Sequence, residues 1–188
     1  ENNVAGAVIG NLASTDVDAG DTFTYALVSG DVSVFTITGN QLKSAASFDF
    51  ETKNSYSVRI KTTDAGGLSF EKDFTISITN VNEAPTNLAL SSSAIAENNV
   101  GGAVIGNLTS TDVDAGDTFT YALVSGDVSA FTLAGNQLKA ALAFDFETKN
   151  SYSIRIKTTD AGGLSFEKNF TISVSNVNEA PTNLALSS

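Results

Sequence analysis

The chain repeats itself. Sliding the 188 residues along themselves by 96 positions lays Glu1 on Glu97, Asp16 on Asp112 and Pro85 on Pro181, and about 80 of the 92 aligned positions are identical. Duplication at this level means that one structural solution serves twice. A period of about 100 residues is too long for a solenoid unit and suits a complete small domain. The replacements are mostly mild: Ile37 becomes Leu133, Val58 becomes Ile154 and Ile78 becomes Val174.

Within each unit the period is two. In DTFTYALVSG the residues Phe23, Tyr25 and Leu27 share a face. In SYSVRIKTTD so do Tyr56, Val58 and Ile60, with Ser57, Arg59 and Lys61 opposite. In LSFEKDFTISITN the apolar set is Leu68, Phe70, Phe74, Ile76 and Ile78, interrupted by Lys72. Such alternation marks strands with one buried face. The polar and Gly-rich stretches DAGD, VSGDVS, TGNQ and DAGG separate them as turns.

The second unit predicts seven strands, near 87–95, 102–111, 118–125, 130–135, 137–141, 151–159 and 164–176. KAALAFDFET is too short to hold as a helix and can manage only a turn. The expected architecture is all-β, two tandem seven-stranded β-sandwiches. The expected division is 1–84 for a first repeat without its first strand and 85–180 for a second. Residues 181–188, which repeat PTNLALSS of 85–92, are expected to start a further first strand.

Charge narrows the partners. With 21 acidic against 10 basic side chains the net charge is −11, which repels nucleic acid and anionic membrane surfaces. No apolar run approaches the ~20 residues that span a bilayer, so direct membrane insertion is not expected. The chain has no Cys, His, Trp or Met, which removes disulfides, thiol nucleophiles, His-containing triads and His- or Cys-bound zinc. Carboxylates, amides and hydroxyls remain. No nucleophile–base pair emerges, and Asp49 with Glu51 lacks the aromatic sugar platform of a glycosidase, so no enzyme is expected.

The carboxylates are clustered. STDVDAGDTFTY carries Asp16, Asp18 and Asp21, and its copy carries Asp112, Asp114 and Asp117, in stretches without Lys or Arg from Glu1 to Leu42 and from Asp73 to Leu138. A lone DxD is more often an Asx turn than a ligand set. Asp21 and Asp117 read equally well as a ligand or a turn cap. Asp31 and Asp127, in VSGD, read as solvated turn residues, the Lys of FEKD and FEKN as belonging to a solvated sheet face, and the Phe and Tyr rings as core.

Five motifs in one order complete the pattern: ENNV (Glu1, Glu97), DxD (Asp16/Asp18, Asp112/Asp114), FDFET (Asp49/Glu51, Asp145/Glu147), TTDAGG (Asp64, Asp160) and NVNEAP (Asn82/Glu83, Asn178/Glu179). Together they resemble the cadherin repeat from end to end of both units, and the wording looks most like the cadherin-like arrays of bacterial surface and secreted adhesins. The resemblance implies Greek-key, cadherin/Ig-like sandwiches placed end to end, with Ca2+ bound where consecutive repeats meet. It implies an inter-domain ligand set of Glu1, Asp49, Glu51, Asn82, Glu83, Asp112, Asp114 and Asp160, enough for about two or three ions at six to eight oxygens each. It also implies half-sites at Asp16, Asp18 and Asp64, and at Glu97, Asp145, Glu147, Asn178 and Glu179. The sequence departs from the family at Asn80 and Glu83, where Asp is usual, and at Ala84, where Asn is usual.

The implied role is a calcium-rigidified spacer or adhesion segment of a cell-surface or secreted, hence extracellular, adhesin. Its partners would be neighbouring repeats of the same chain. The alternative is a calcium-dependent binding module for homophilic self-association or for polysaccharide.

Overall fold

The computed structural model describes residues 1–18 and 20–186. The chain divides into two compact units, Glu1–Val81 and Asn82–Ser188. Both are all-β, as the period-two alternation predicts.

Among the described residues unit 1 has six strands: β1 (Val8–Asn11), β2 (Thr24–Gly30), β3 (Phe35–Thr38), β4 (Gln41–Ser44), β5 (Ser55–Thr63) and β6 (Ser69–Ser77). They form two three-stranded antiparallel sheets, ordered β1-β4-β3 and β2-β5-β6. The inward residues Phe35, Leu42, Phe48, Val58 and Ile60 are buried. Phe35, Phe48 and Tyr56 stack as a trio, with ring centroids 4.7–5.9 Å apart.

Among the described residues unit 2 has eight strands: β7 (Asn87–Leu90), β8 (Ala94–Ala96), β9 (Val104–Thr111), β10 (Thr120–Gly126), β11 (Phe131–Ala134), β12 (Gln137–Ala140), β13 (Ser151–Thr159) and β14 (Ser165–Ser175). The sheets are β11-β12-β9-β7 and β10-β13-β14-β8. The single first strand expected over 87–95 is therefore two. β7 pairs antiparallel with β9, and β8 pairs parallel with β14 in the opposite sheet. The break falls at Ser91–Ser93, which is tied to both sheets: the Ser91 hydroxyl accepts from the backbone N–H of Asn107 in β9 (2.8 Å), and the Ser93 carbonyl accepts from the backbone N–H of Ser173 in β14 (2.9 Å).

With β7 and β8 in place the core grows. Leu88, Ile105, Leu108, Ile172 and Val174 join Phe131, Leu138, Phe144, Ile154 and Ile156 in one buried cluster. Their unit 1 counterparts Ile9, Leu12, Ile76 and Ile78 are only half-buried. Phe70, expected in the core, is 66% exposed, and Leu68 is 77% exposed. Neighbouring strands in one sequence can show the alternation of a buried face without showing what covers it.

VSGDVS also holds more order than a solvated turn. Gly30 and Gly126 sit at φ of +89° and +88°, with their α-carbons against the Ser57 and Ser153 carbonyls, where a β-carbon would overlap. Single 3-10 turns follow at Val32–Val34 and Val128–Ala130. The Asp31 carboxylate accepts from Ser57 N–H (2.8 Å) and from Lys53 Nζ (2.6 Å), and Asp127 does the same with Ser153 and Lys149. Asp31 and Asp127 thus tie this turn to β5 and to β13. FDFET forms turns without a helix. Residues 181–186 are exposed and lie outside any strand, while the expected strand start at 187–188 falls outside the described residues.

Candidate metal centres

Each unit gathers its acidic motifs at loops that follow or precede strands. In unit 2 the DVDAGD loop between β9 and β10 brings carboxylate oxygens of Asp112, Asp114 and Asp117 within 4.8 Å of one another. The loop is held by its own backbone, with Asp114 N–H donating to Asp112 Oδ1 (3.2 Å). Oδ2 of Asp112 and Oδ2 of Asp117 are buried without a hydrogen-bond partner. A buried carboxylate oxygen left this way costs free energy until something cationic meets it. Desolvation, then the charges of Asp160, Asp112 and Asp114, push the Asp117 carboxyl above its usual range.

Asp160 lies just past β13 and is 6% exposed. Its Oδ1 accepts from Leu164 N–H (2.8 Å), which closes the DAGG turn, and its Oδ2 accepts from the Asn82 amide (3.1 Å). The same amide donates to the Glu83 carbonyl (3.1 Å), and Glu83 N–H donates to Asp114 Oδ2 (2.9 Å). The NEAP segment is thus pinned to the DxD loop and to the DAGG turn of its own unit. In unit 1 oxygens of Asp16, Asp21 and Asp64 also approach within 4.8 Å, but Asp16 and Asp18 are exposed where Asp112 and Asp114 are half-buried. Asp64 Oδ1 accepts from Leu68 N–H (2.8 Å), the counterpart of the Asp160 turn.

A second kind of cluster forms around the first glutamate of each unit. Glu97 is 3% exposed, and its two oxygens accept from Phe146 N–H (2.7 Å) and Val177 N–H (2.6 Å). Glu1 repeats this with Phe50 (2.7 Å) and Val81 (2.6 Å), and those two backbone bonds, Val81 first, hold its carboxyl below the usual range. Around Glu97, oxygens of Glu147 and Glu179 close to within 4.8 Å. A backbone bond pulls the Glu147 carboxyl down, but desolvation and the Glu97 and Glu179 charges outweigh it and leave it raised.

Asp49 and Asp145 behave differently. Both oxygens of Asp145 accept from Thr148, through its N–H and its hydroxyl (2.9 Å each), which depresses the carboxyl, the backbone bond leading. Asp49 makes the same cap with Thr52 (2.8 and 3.0 Å). Asn80 and Asn176, in the position where Asp is usual, donate to Glu51 Oε1 (3.1 Å) and Glu147 Oε1 (2.7 Å). Asn98, at φ +56°, donates to Glu179 Oε1 (2.9 Å). Asn178 is exposed. Asp117 belongs with the DxD pair, and the sequence signal for it was its place in a loop with no cation nearby.

The donor sets are wholly oxygen, and carboxylates dominate them. That chemistry suits a hard divalent cation such as Ca2+ and offers nothing to softer metals. Among the described residues no helix is long and apolar enough to cross a membrane.

The fold and the order of acidic motifs resemble those of cadherin repeats. No protein-family model matches the chain. It is 29% identical over 178 residues to mouse protocadherin Fat 4, covering 87% of this chain and 4% of that protein. Among solved structures it resembles the protocadherin GammaB4 extracellular domain, with a TM-score of 0.72 and 26% identity over 94% of this chain and 30% of that one. It also resembles human protocadherin-24 EC1-2, with a TM-score of 0.78 and 22% identity over 94% and 92% of the two chains.

Proposed function

We propose that these repeats bind Ca2+ and use it to stiffen an extracellular, surface-attached or secreted adhesin, in which they act as a spacer or adhesion segment. The observation that carries this reading is the Asp112–Asp114–Asp117 triad with two buried carboxylate oxygens unmet by any hydrogen-bond donor. Extended sequence continuity supports it: Asn80 and Val81 bond to Glu51 and Glu1 of unit 1, and the next residues, Asn82 and Glu83, bond to Asp160 and Asp114 of unit 2. A cation drawn to Asp112, Asp114 and Asp160 on one side and to Glu1, Glu51 and Asp49 on the other would couple consecutive repeats through this linker. The half-sites Asp16, Asp18 and Asp64, and Glu97, Asp145, Glu147, Asn178 and Glu179, would serve the neighbouring repeats of an array.

The likeness to extracellular adhesion proteins supports an extracellular setting. The polysaccharide alternative draws less support, because among the described residues Phe70 is the one exposed aromatic ring. The test is small-angle X-ray scattering of the 188-residue chain in millimolar calcium and in excess chelator, beside calorimetric titration. A maximum dimension that is sharp with calcium and broad without it supports the spacer. Superimposable curves with no heat of binding reject it.

A further inference from the structure

The Glu97–Glu147–Glu179 cluster already has hydrogen-bond donors seated in it. Carboxylate oxygens of the three lie within 4.8 Å of one another, an arrangement in which like charges repel. Glu97 gives both oxygens to backbone N–H groups, those of Phe146 (2.7 Å) and Val177 (2.6 Å). The other two glutamates are exposed, and each is met by a side-chain amide. Asn176 Nδ2 donates to Glu147 Oε1 (2.7 Å), and Asn98 Nδ2 donates to Glu179 Oε1 (2.9 Å). Asn176 and Val177 are consecutive, so one stretch of chain leaving β14 sends a side-chain donor to Glu147 and a backbone donor to Glu97. The Asn176 bond recurs in unit 1, where Asn80 Nδ2 donates to Glu51 Oε1 (3.1 Å).

Residue type matters here because an amide and a carboxylate act in opposite directions. An aspartate at 176, the residue usual at this position of the cadherin repeat, would add a negative charge that repels the empty cluster and ligates a cation in the filled one. The asparagine amide instead stabilises the empty cluster. It offers a cation a neutral oxygen only after turning over.

We propose that Asn176 is a positioning residue that sets the calcium threshold of this cluster: its amide holds Glu147 and the exit segment together in the metal-free repeat, and a cation must compete with it for Glu147 Oε1. Asn98 plays the same part at Glu179. The inference rests on the calcium reading above, but the amide bond belongs to the metal-free chain and can be tested there. Its consequence is a repeat whose exit stays assembled at low calcium and fills only at a higher concentration than an aspartate would set.

Amide NMR of the 188-residue chain, followed at the Phe146 and Val177 backbone signals, tests both halves. In chelator, hydrogen exchange at Val177 should be at least about tenfold faster in Asn176→Ala and in Asn176→Asp than in the parent, because the exit segment opens more often without the amide. In a calcium titration, Asn176→Asp should reach half-saturation at about tenfold lower calcium, and Asn176→Ala should bind no more weakly than the parent. Weaker binding by Asn176→Ala would make Asn176 an ordinary ligand and overturn the proposal, as would unchanged exchange in both variants. A parent chain whose signals do not respond to calcium removes the calcium reading itself. A parent that responds, with variants that match it, removes only the role of Asn176. Asn176 is exposed, and unchanged β13 signals check that both variants keep the fold.

Discussion

The side-chain amide of Asn82 packs directly on the α-carbon of Gly162, where any β-carbon would overlap it, while donating to Asp160 Oδ2 at 3.1 Å. Gly162→Ala should therefore displace Asn82 and free one oxygen of Asp160 from its orienting bond. Groups that orient metal ligands are worth about 10–100-fold in affinity, so calcium binding by this variant should weaken at least about tenfold. At Gly66, the counterpart, the nearest atom to an added β-carbon is Asp64 Oδ1 at an ordinary 3.4 Å. Gly66→Ala should leave calcium titration close to that of the parent chain.

Asp117 shares its loop with two other carboxylates and faces Asp160 electrostatically. Asp117→Asn removes one charge from a cluster that repels itself without metal. The variant should melt higher than the parent in chelator and gain less from calcium, so that its two melting curves lie closer together. Differential scanning calorimetry in chelator and in millimolar calcium measures both.

Lys53 Nζ and the Ser57 amide hold the Asp31 carboxyl below its ordinary 3.8, and Lys149 and Ser153 do so for Asp127. A depressed carboxyl stabilises the fold fully above 3.8 and loses that contribution as pH falls through the lower folded value. The double variant Asp31→Asn, Asp127→Asn should consequently lose less stability than the parent between about pH 5 and about pH 2. Thermal melts across that range in chelator check the slope.

Leu108 is 1% exposed under β7, and Leu12, its counterpart, is only half-buried. Leu108→Ala should cost unit 2 about 2–5 kcal/mol, the usual range for a buried leucine, and Leu12→Ala should cost unit 1 distinctly less. Urea unfolding of each variant gives the comparison.

Much of this was legible in the residues. The 96-residue offset and the alternation at Tyr56, Val58 and Ile60 establish repeated sandwiches, because both signals are local or exact. What escaped was non-local. The three serines at 91–93 carry no signal that the chain will cross from one sheet to the other, since that depends on where β9 and β14 stand. Phe70 and Phe166 have identical neighbours in sequence, yet only the latter packs against a completed core. At the acidic loops the residue types were plain, but the division of labour was not. Asp145 spends both oxygens on Thr148, and Asp117 keeps one oxygen buried and unmet.

In unit 2, β8 near the entry of the chain runs parallel to β14 at its exit, through the pairs Ala94–Ser173, Ile95–Val174 and Ala96–Ser175. Tension applied along the polypeptide would slide these two strands past each other instead of peeling them apart. Their hydrogen bonds would then bear the load together and give way together, so a repeat closed by this pairing resists stretching as a clamp and not as a zipper.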